Sequence, residues 1–289
     1  MSILLYGDSH TDIFLNIPDV VRFDTRLCKS GIMTIHRFTD PTDTDLWNAL
    51  DPWFNNTQGN QLVISVGEID IRAHFWRHIP RHYQSLQSIL DFVDENTLKF
   101  YQRLDFICKN YSIDRIVVWG APVAGVGAHY NFEVPFSGPS QTRNRLIHLW
   151  NKSFFKLTQT DPRISFASAF YNFIDPNTYS TVTPNPSHDN VHWHDSYGTQ
   201  FWNSLVRPSL DGTNLCLGEH WNTMFNDRFD ITESISHGEY QYDSWIRTEQ
   251  IINHEESYKK IIINGQSYSW ITANQRNLLP EKYLELSLH

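Results

Sequence analysis

Two short blocks of this chain have the residue types and order that acyl transfer requires. The first is Gly7-Asp8-Ser9-His10, directly after the apolar run Ile3 to Tyr6. A serine at a strand-to-helix turn exposes its hydroxyl, and its own N–H sits where a developing oxyanion can be held. The second is Asp189-Asn190-Val191-His192-Trp193. A serine nucleophile needs a base, and the base needs a carboxylate to orient it. An Asp three residues before a His brings both to one serine from the start of a helix. The candidate catalytic set is therefore Ser9, His192 and Asp189. Each block alone also has a plainer reading. Gly-Asp-Ser recurs as a turn or helix cap, and Asp189 could cap the last helix with His192 packed on its first turn.

Other clusters are less specific. Glu68, Asp70 and Arg72 form a charged group that would sit at the edge of the site or pair in solvent, where such pairs contribute little. His188, Asp189, His192, His194 and Asp195 invite a metal reading, since zinc takes His and Asp ligands. No HExxH motif or Cys cluster supports it, and no metal is expected. No P-loop is present and no GxGxxG follows a strand; Gly120 to Gly127 is glycine-rich but lacks the lysine of a phosphate loop. No cofactor is expected.

The elements that must carry these residues follow from apolar patterning. Ile3 to Tyr6, Gln61 to Val66, Arg115 to Trp119 and Arg163 to Ala167 read as buried strands, the first three each closed by a glycine (Gly7, Gly67, Gly120). Val20 to Leu27 reads as a further strand. Leu46 to Phe54, about Pro80 to Asn110, Arg143 to Leu157 and His194 to Val206 read as helices, the second from apolar residues recurring at three- and four-residue steps. Ala121 to Pro139 and Phe170 to Ser187 read as loops. This alternation predicts an α/β fold built on a doubly wound parallel sheet, with its site beyond the carboxyl ends of the strands. After Val206 the rhythm stops. Ser209 to Asn214 is a candidate linker, and 215–289 is expected to be a small α+β or β-rich appendage. Two β-rich runs around Asn264-Gly265 predict a hairpin there.

The two chemical blocks, taken together, resemble the SGNH (GDSL-like) hydrolase family. That family has its nucleophile in an N-terminal Gly-Asp-Ser block and an Asp-x-x-His near the end of the catalytic domain. The resemblance covers about residues 1–207. It implies a flavodoxin-like catalytic domain over that span, with Ser9, His192 and Asp189 as triad. It also implies an oxyanion hole that includes the amides of Ser9 and Gly31, the latter in Lys29-Ser30-Gly31-Ile32-Met33-Thr34. Val118-Trp119-Gly120-Ala121-Pro122 resembles a later strand-plus-proline block. Gly67-Glu68-Ile69-Asp70 stands where the family has Gly-x-Asn-Asp and resembles a variant subgroup with Gly-Glu-Ile-Asp and a nearby arginine. Asp8, Glu68 and Asp70 then fall at the edge of the site. Ile69 has no donor where the family has its oxyanion asparagine, and losing one such donor typically costs about 10²–10³ in rate. Three explanations compete: another donor replaces it, with Arg72 favoured over Asn131; the site binds rather than catalyses; or this block aligns elsewhere.

Composition bounds the setting. The 289 residues suffice for one generous domain or one domain plus an appendage, and 40% apolar with 19% charged residues is a globular composition. A net charge of -9 argues against sequence-independent nucleic-acid binding. The 3 cysteines, Cys28, Cys108 and Cys216, are dispersed and odd in number, so neither a disulfide framework nor a zinc knuckle is expected. No stretch reads as a signal peptide or a membrane span, so a cytoplasmic protein with no membrane partner is expected. The 10 tryptophans fit either an aromatic core or a sugar-binding surface, with the core favoured. The reading these features support is a serine esterase for small O-acyl groups, acetyl esters of carbohydrates among them. An O-acyltransferase using the same triad, a non-catalytic binding module on the same fold, and an assembly protein using its C-terminal appendage are the alternatives.

Overall fold

The computed structural model describes residues 2–28, 33–71, 86–124, 140–182, 186, 192–216, 248–250, 258–263 and 266–271. Its centre is a six-stranded sheet in the order β2-β1-β3-β4-β5-β6, every neighbouring pair parallel. The strands are β1 (Ser2–Gly7), β2 (Val20–Arg22), β3 (Gly59–Ser65), β4 (Arg115–Trp119), β5 (Ile164–Ser168) and β6 (Leu215–Cys216). Leu4, Leu5, Leu62, Val63, Ile64, Val117 and Phe166 are fully buried, as strands covered on both faces require. Each such side chain contributes about 1.5–3 kcal/mol by leaving water. This is the expected α/β parallel sheet.

Helices cover both faces. On one lie α1 (Ile35–Thr39), α3 (Leu86–Asn110) and α4 (Ser140–Thr158), joined through the rings of Phe38, Phe100 and Phe154. Helix α2 (Thr44–Asn56) starts under the Asp43 carboxylate, which accepts from the Leu46 N–H. On the other face lie the 3₁₀ turn Ser9–Phe14 and a helical run made of Gly198–Phe201, a π turn Trp202–Val206 and Arg207–Ser209. Phe14 and Phe201 both pack on Trp119 of β4.

Several expectations shift. The strand expected over Val20 to Leu27 stops at Arg22, because Asp24 accepts from the Arg26 N–H and winds Thr25–Leu27 into a 3₁₀ turn. The expected linker Ser209 to Asn214 is packed rather than free. Ser209 and Leu210 are buried, and Asn214 accepts from the Phe166 N–H at 2.6 Å. It leads into β6, which pairs with β5 and extends the sheet into the segment expected to be an appendage. Farther on, β7 (Thr248–Gln250), β8 (Tyr258–Ile263) and β9 (Gln266–Ile271) form an antiparallel sheet, with Ile263 opposite Gln266. The expected loop at Ala121 to Pro139 begins with Ala121 to Ala124, and the rest lies outside the described residues.

The tryptophans with described side chains serve the core. Trp47, Trp119, Trp150, Trp193 and Trp202 are buried and Trp53 is half-buried.

Candidate active site

Strand order reverses between β1 and β3, the position where an open α/β sheet leaves a crevice at its carboxyl edge. The Gly7-Asp8-Ser9-His10 block leaves β1 at that point. Gly7 and Ser65 are register partners on the two strands. A Cβ on Gly7 would lie 2.1 Å from the Ser65 carbonyl oxygen, so only glycine lets the two backbones approach this closely. The Asp8 N–H donates to that same oxygen at 3.1 Å. The Asp8 carboxylate then turns back to accept from the His10 N–H at 3.0 Å, capping the Ser9–Phe14 turn. Asp8 is thus a buried cap of the turn that carries Ser9.

Ser9 stands at the head of this turn with its side chain exposed, and its Oγ lies 2.6 Å from His192 Nε2. The two residues are 183 positions apart in sequence. What brings them together is the packing of the last helical run on the first turn. A Cβ on Gly198 would meet the Ile13 carbonyl oxygen at 2.2 Å, so a glycine is needed for this approach too. Trp193, directly after His192, is buried against Phe173 and Phe201 and anchors the segment. Asp189, Gly31 and Arg72, expected as orienting carboxylate and oxyanion donors, lie outside the described residues, as does Asn131.

Beyond β3 the chain continues through Gly67-Glu68-Ile69-Asp70. Glu68 is buried, with Oε2 3.1 Å from His10 Nε2. It is therefore no surface ion pair. The His10 ring lies 5.0 Å from the His192 ring at 32°. Asp70 accepts from the Ile35 N–H at 2.8 Å and so fixes the start of α1. Ile69 is buried and offers no hydrogen-bond donor from its side chain. Burial pushes the Asp12 carboxyl up, and the charges of Arg22, His192 and His10 pull it back, with Arg22 Nη2 2.5 Å from Asp12 Oδ1.

Sequence reading missed His10 as the partner of Glu68. The signal available was its position, immediately after Ser9 in the block that follows the first apolar run. It also missed Asn144. That side chain accepts from the Ala124 N–H at 2.7 Å and donates to the Tyr179 carbonyl at 2.8 Å, tying the loop after β4 to the loop after β5. Nothing in the local sequence marks it, because its partners, the Ala124 N–H, the Tyr179 carbonyl and the Thr181 hydroxyl, are all 20 or more residues away.

The two cysteines with described side chains are poor nucleophiles. Burial pushes the Cys28 thiol up and the Cys108 thiol up to about 11, so neither is a thiolate at neutral pH. Among the described residues no group of three or more His, Cys, Asp or Glu side chains is placed to hold a metal ion. Of the histidine-rich segment, His188 lies outside the described residues, and His194 Nδ1 is 2.8 Å from Ser196 Oγ. Among the described residues no helix is long and apolar enough to cross a membrane.

No protein-family model matches this chain. No curated protein matches it either. Among solved structures it is similar to a Streptococcus pneumonia protein provisionally described as a platelet activating factor. The identity is 15% and the TM-score 0.44, over 72% of this chain and 83% of that one. It is also similar to the native M. smegmatis aryl esterase, at 16% identity and TM-score 0.40, over 72% and 99% of the two chains. For the inhibitor-bound form of that esterase the values are 16% and 0.37, over 69% and 94%.

Proposed function

We propose that this protein is a serine hydrolase of small O-acyl esters. The observation that carries this reading is the 2.6 Å approach of Ser9 Oγ to His192 Nε2 at the carboxyl edge of a parallel sheet. A neutral imidazole at that distance can take the hydroxyl proton as Oγ attacks an ester carbonyl. The tetrahedral oxyanion would be held by the Ser9 and Gly31 amides, with Arg72 as the third donor in place of Ile69. Collapse of that intermediate leaves an acyl-Ser9, and the proton on His192 passes to the departing alcohol. Water then attacks the acyl group and His192 takes its proton; as the acyl–Ser9 bond breaks, that proton passes to Ser9 Oγ and the acid leaves. Asp189, three residues before His192, is the orienting carboxylate in this scheme. The names of the similar structures, an aryl esterase among them, agree with the reading without supporting it. A binding module is the rival, favoured by the donorless side chain of Ile69.

Reaction with a fluorophosphonate separates the two. The hydrolase reading expects one adduct, on the peptide that contains Ser9, absent in Ser9→Ala and slowed by about 10³-fold or more in His192→Ala. On any ester that a chain-length screen finds, the double variant should be barely worse than either single one, because triad members act as a unit. No adduct, or one that survives Ser9→Ala, would leave the binding module as the better account.

A further inference from the structure

The His10–Glu68 contact is a histidine–acid pair at this crevice, and the mechanism above does not use it. Both members are buried. Glu68 enters from the exit of β3 and His10 from the turn that carries Ser9, so the pair bridges the two strands that flank the crevice. Its imidazole lies against the ring of His192, 5.0 Å between centroids. Asp12, on the same turn, also feels the His192 charge, and it is paired with Arg22 of β2.

That arrangement bears on a charge that appears only during reaction. When His192 takes the Ser9 proton it becomes an imidazolium. A lone positive imidazole 5.0 Å away would oppose this step, and strongly so in a desolvated setting. The Glu68 carboxylate, 3.1 Å from His10 Nε2, opposes that penalty. Beside a neutral His10 it is a negative charge that favours the imidazolium; beside a protonated His10 it offsets part of that ring's repulsion.

We infer that His10 and Glu68 are positioning residues that hold the His192 ring in place and supply the negative charge that supports its protonated form. This rests on the proposal that Ser9 and His192 act as nucleophile and base. Neither residue touches the reacting atoms; both act through His192.

The test is a pair of measurements on the full chain carrying Glu68→Gln, which keeps the shape and an acceptor but not the charge. Titration of the His192 ring by ¹⁵N-detected NMR should show its midpoint fall by about half a unit to one unit. Ser9 labelling by the fluorophosphonate should slow by about threefold or more at pH 8, because a less basic imidazole is a weaker base. The charge-retaining Glu68→Asp should recover part of both. A merely structural role would lower thermal stability without moving the His192 midpoint, and an unmoved midpoint overturns the inference. Should Glu68→Gln not fold, His10→Gln keeps the carboxylate charged with a donor facing it. There the midpoint should hold or rise, and a fall overturns the inference. Absence of labelling in the wild type is a different failure, since it removes the hydrolase reading on which the inference stands.

Discussion

At the scale of single residues, the histidines of this chain do unlike work because their surroundings differ. His192 is half-exposed beside Ser9. His148, on α4, is fully buried, with Nδ1 3.2 Å from the Tyr171 hydroxyl and the rings of Tyr171 and Tyr179 around it. Burial, aided by the Lys152 charge, brings its pKa down from 6.5 to about 3. It is neutral in the folded protein at any ordinary pH, whereas in the unfolded chain it is free to protonate. Between pH 6.5 and about 3 the unfolded state therefore binds more protons than the folded one. The stability that depends on neutral His148 is whole above that window and is lost as pH falls through it. His148→Phe keeps an aromatic ring and removes the basic nitrogen. At pH 7 it should cost about 1 kcal/mol through the lost Tyr171 contact. Below pH 6 its stability should fall less steeply than the wild type's, by up to about 1.4 kcal/mol per pH unit. Urea unfolding at pH 7, 6, 5 and 4 measures both slopes. Parallel slopes would mean that His148 is protonated in the folded state.

At the scale of elements, what could be read from sequence depended on whether the cause was local. The strands β1, β3 and β4 were legible because each is a continuous apolar run cut by a glycine, and their bounds moved by two residues at most. The third lay exactly between Arg115 and Trp119 as expected. β6 was not legible, since two residues at a sheet edge carry no pattern and their pairing with β5 is set by the helix before them. The site divides the same way. Ser9 and His192 stand out as motifs, whereas the role of Asp70 depends on a donor, the Ile35 N–H, that only tertiary packing brings to it. Asp70 shows how such a residue acts on an element. α1 has only five residues, too few to form on its own. Its start is held twice: Thr34 accepts from the Arg37 N–H, and Asp70, arriving from the exit of β3, accepts from the Ile35 N–H. Asp70→Ala should cost about 1 kcal/mol and speed amide exchange at Ile35, while Asp70→Asn, which keeps an acceptor, should cost less. Equal exchange in wild type and Asp70→Ala would show that the helix start does not rely on the β3 exit.

At the scale of the whole molecule, the chain's organisation turns on where the parallel sheet ends. We propose a catalytic domain that runs to Cys216, a few residues beyond the 207 read from sequence, with the remainder as a separate C-terminal unit. The reason is that the segment between is built into the sheet. Ser209 and Leu210 are buried, Asn214 satisfies the Phe166 N–H, and Leu215 and Cys216 pair with Ala167 and Ser168 of β5. Among the described residues the antiparallel strands β7, β8 and β9 pair with one another, in a three-stranded sheet of their own. Two truncations separate the possibilities. Removing 217–289 should leave a soluble chain that unfolds in a single transition and takes the fluorophosphonate at Ser9 as fast as the full chain. Removing 209–289 instead strips an edge strand, two buried side chains and the acceptor for a strand N–H. Losses of that kind add to several kcal/mol, comparable to the whole stability of a domain, so this shorter chain should be insoluble or unfolded. If the chain ending at Cys216 folds but is no longer labelled, the C-terminal unit completes the site, as a lid would. If it does not fold, the two units share one core and the division at Cys216 is wrong.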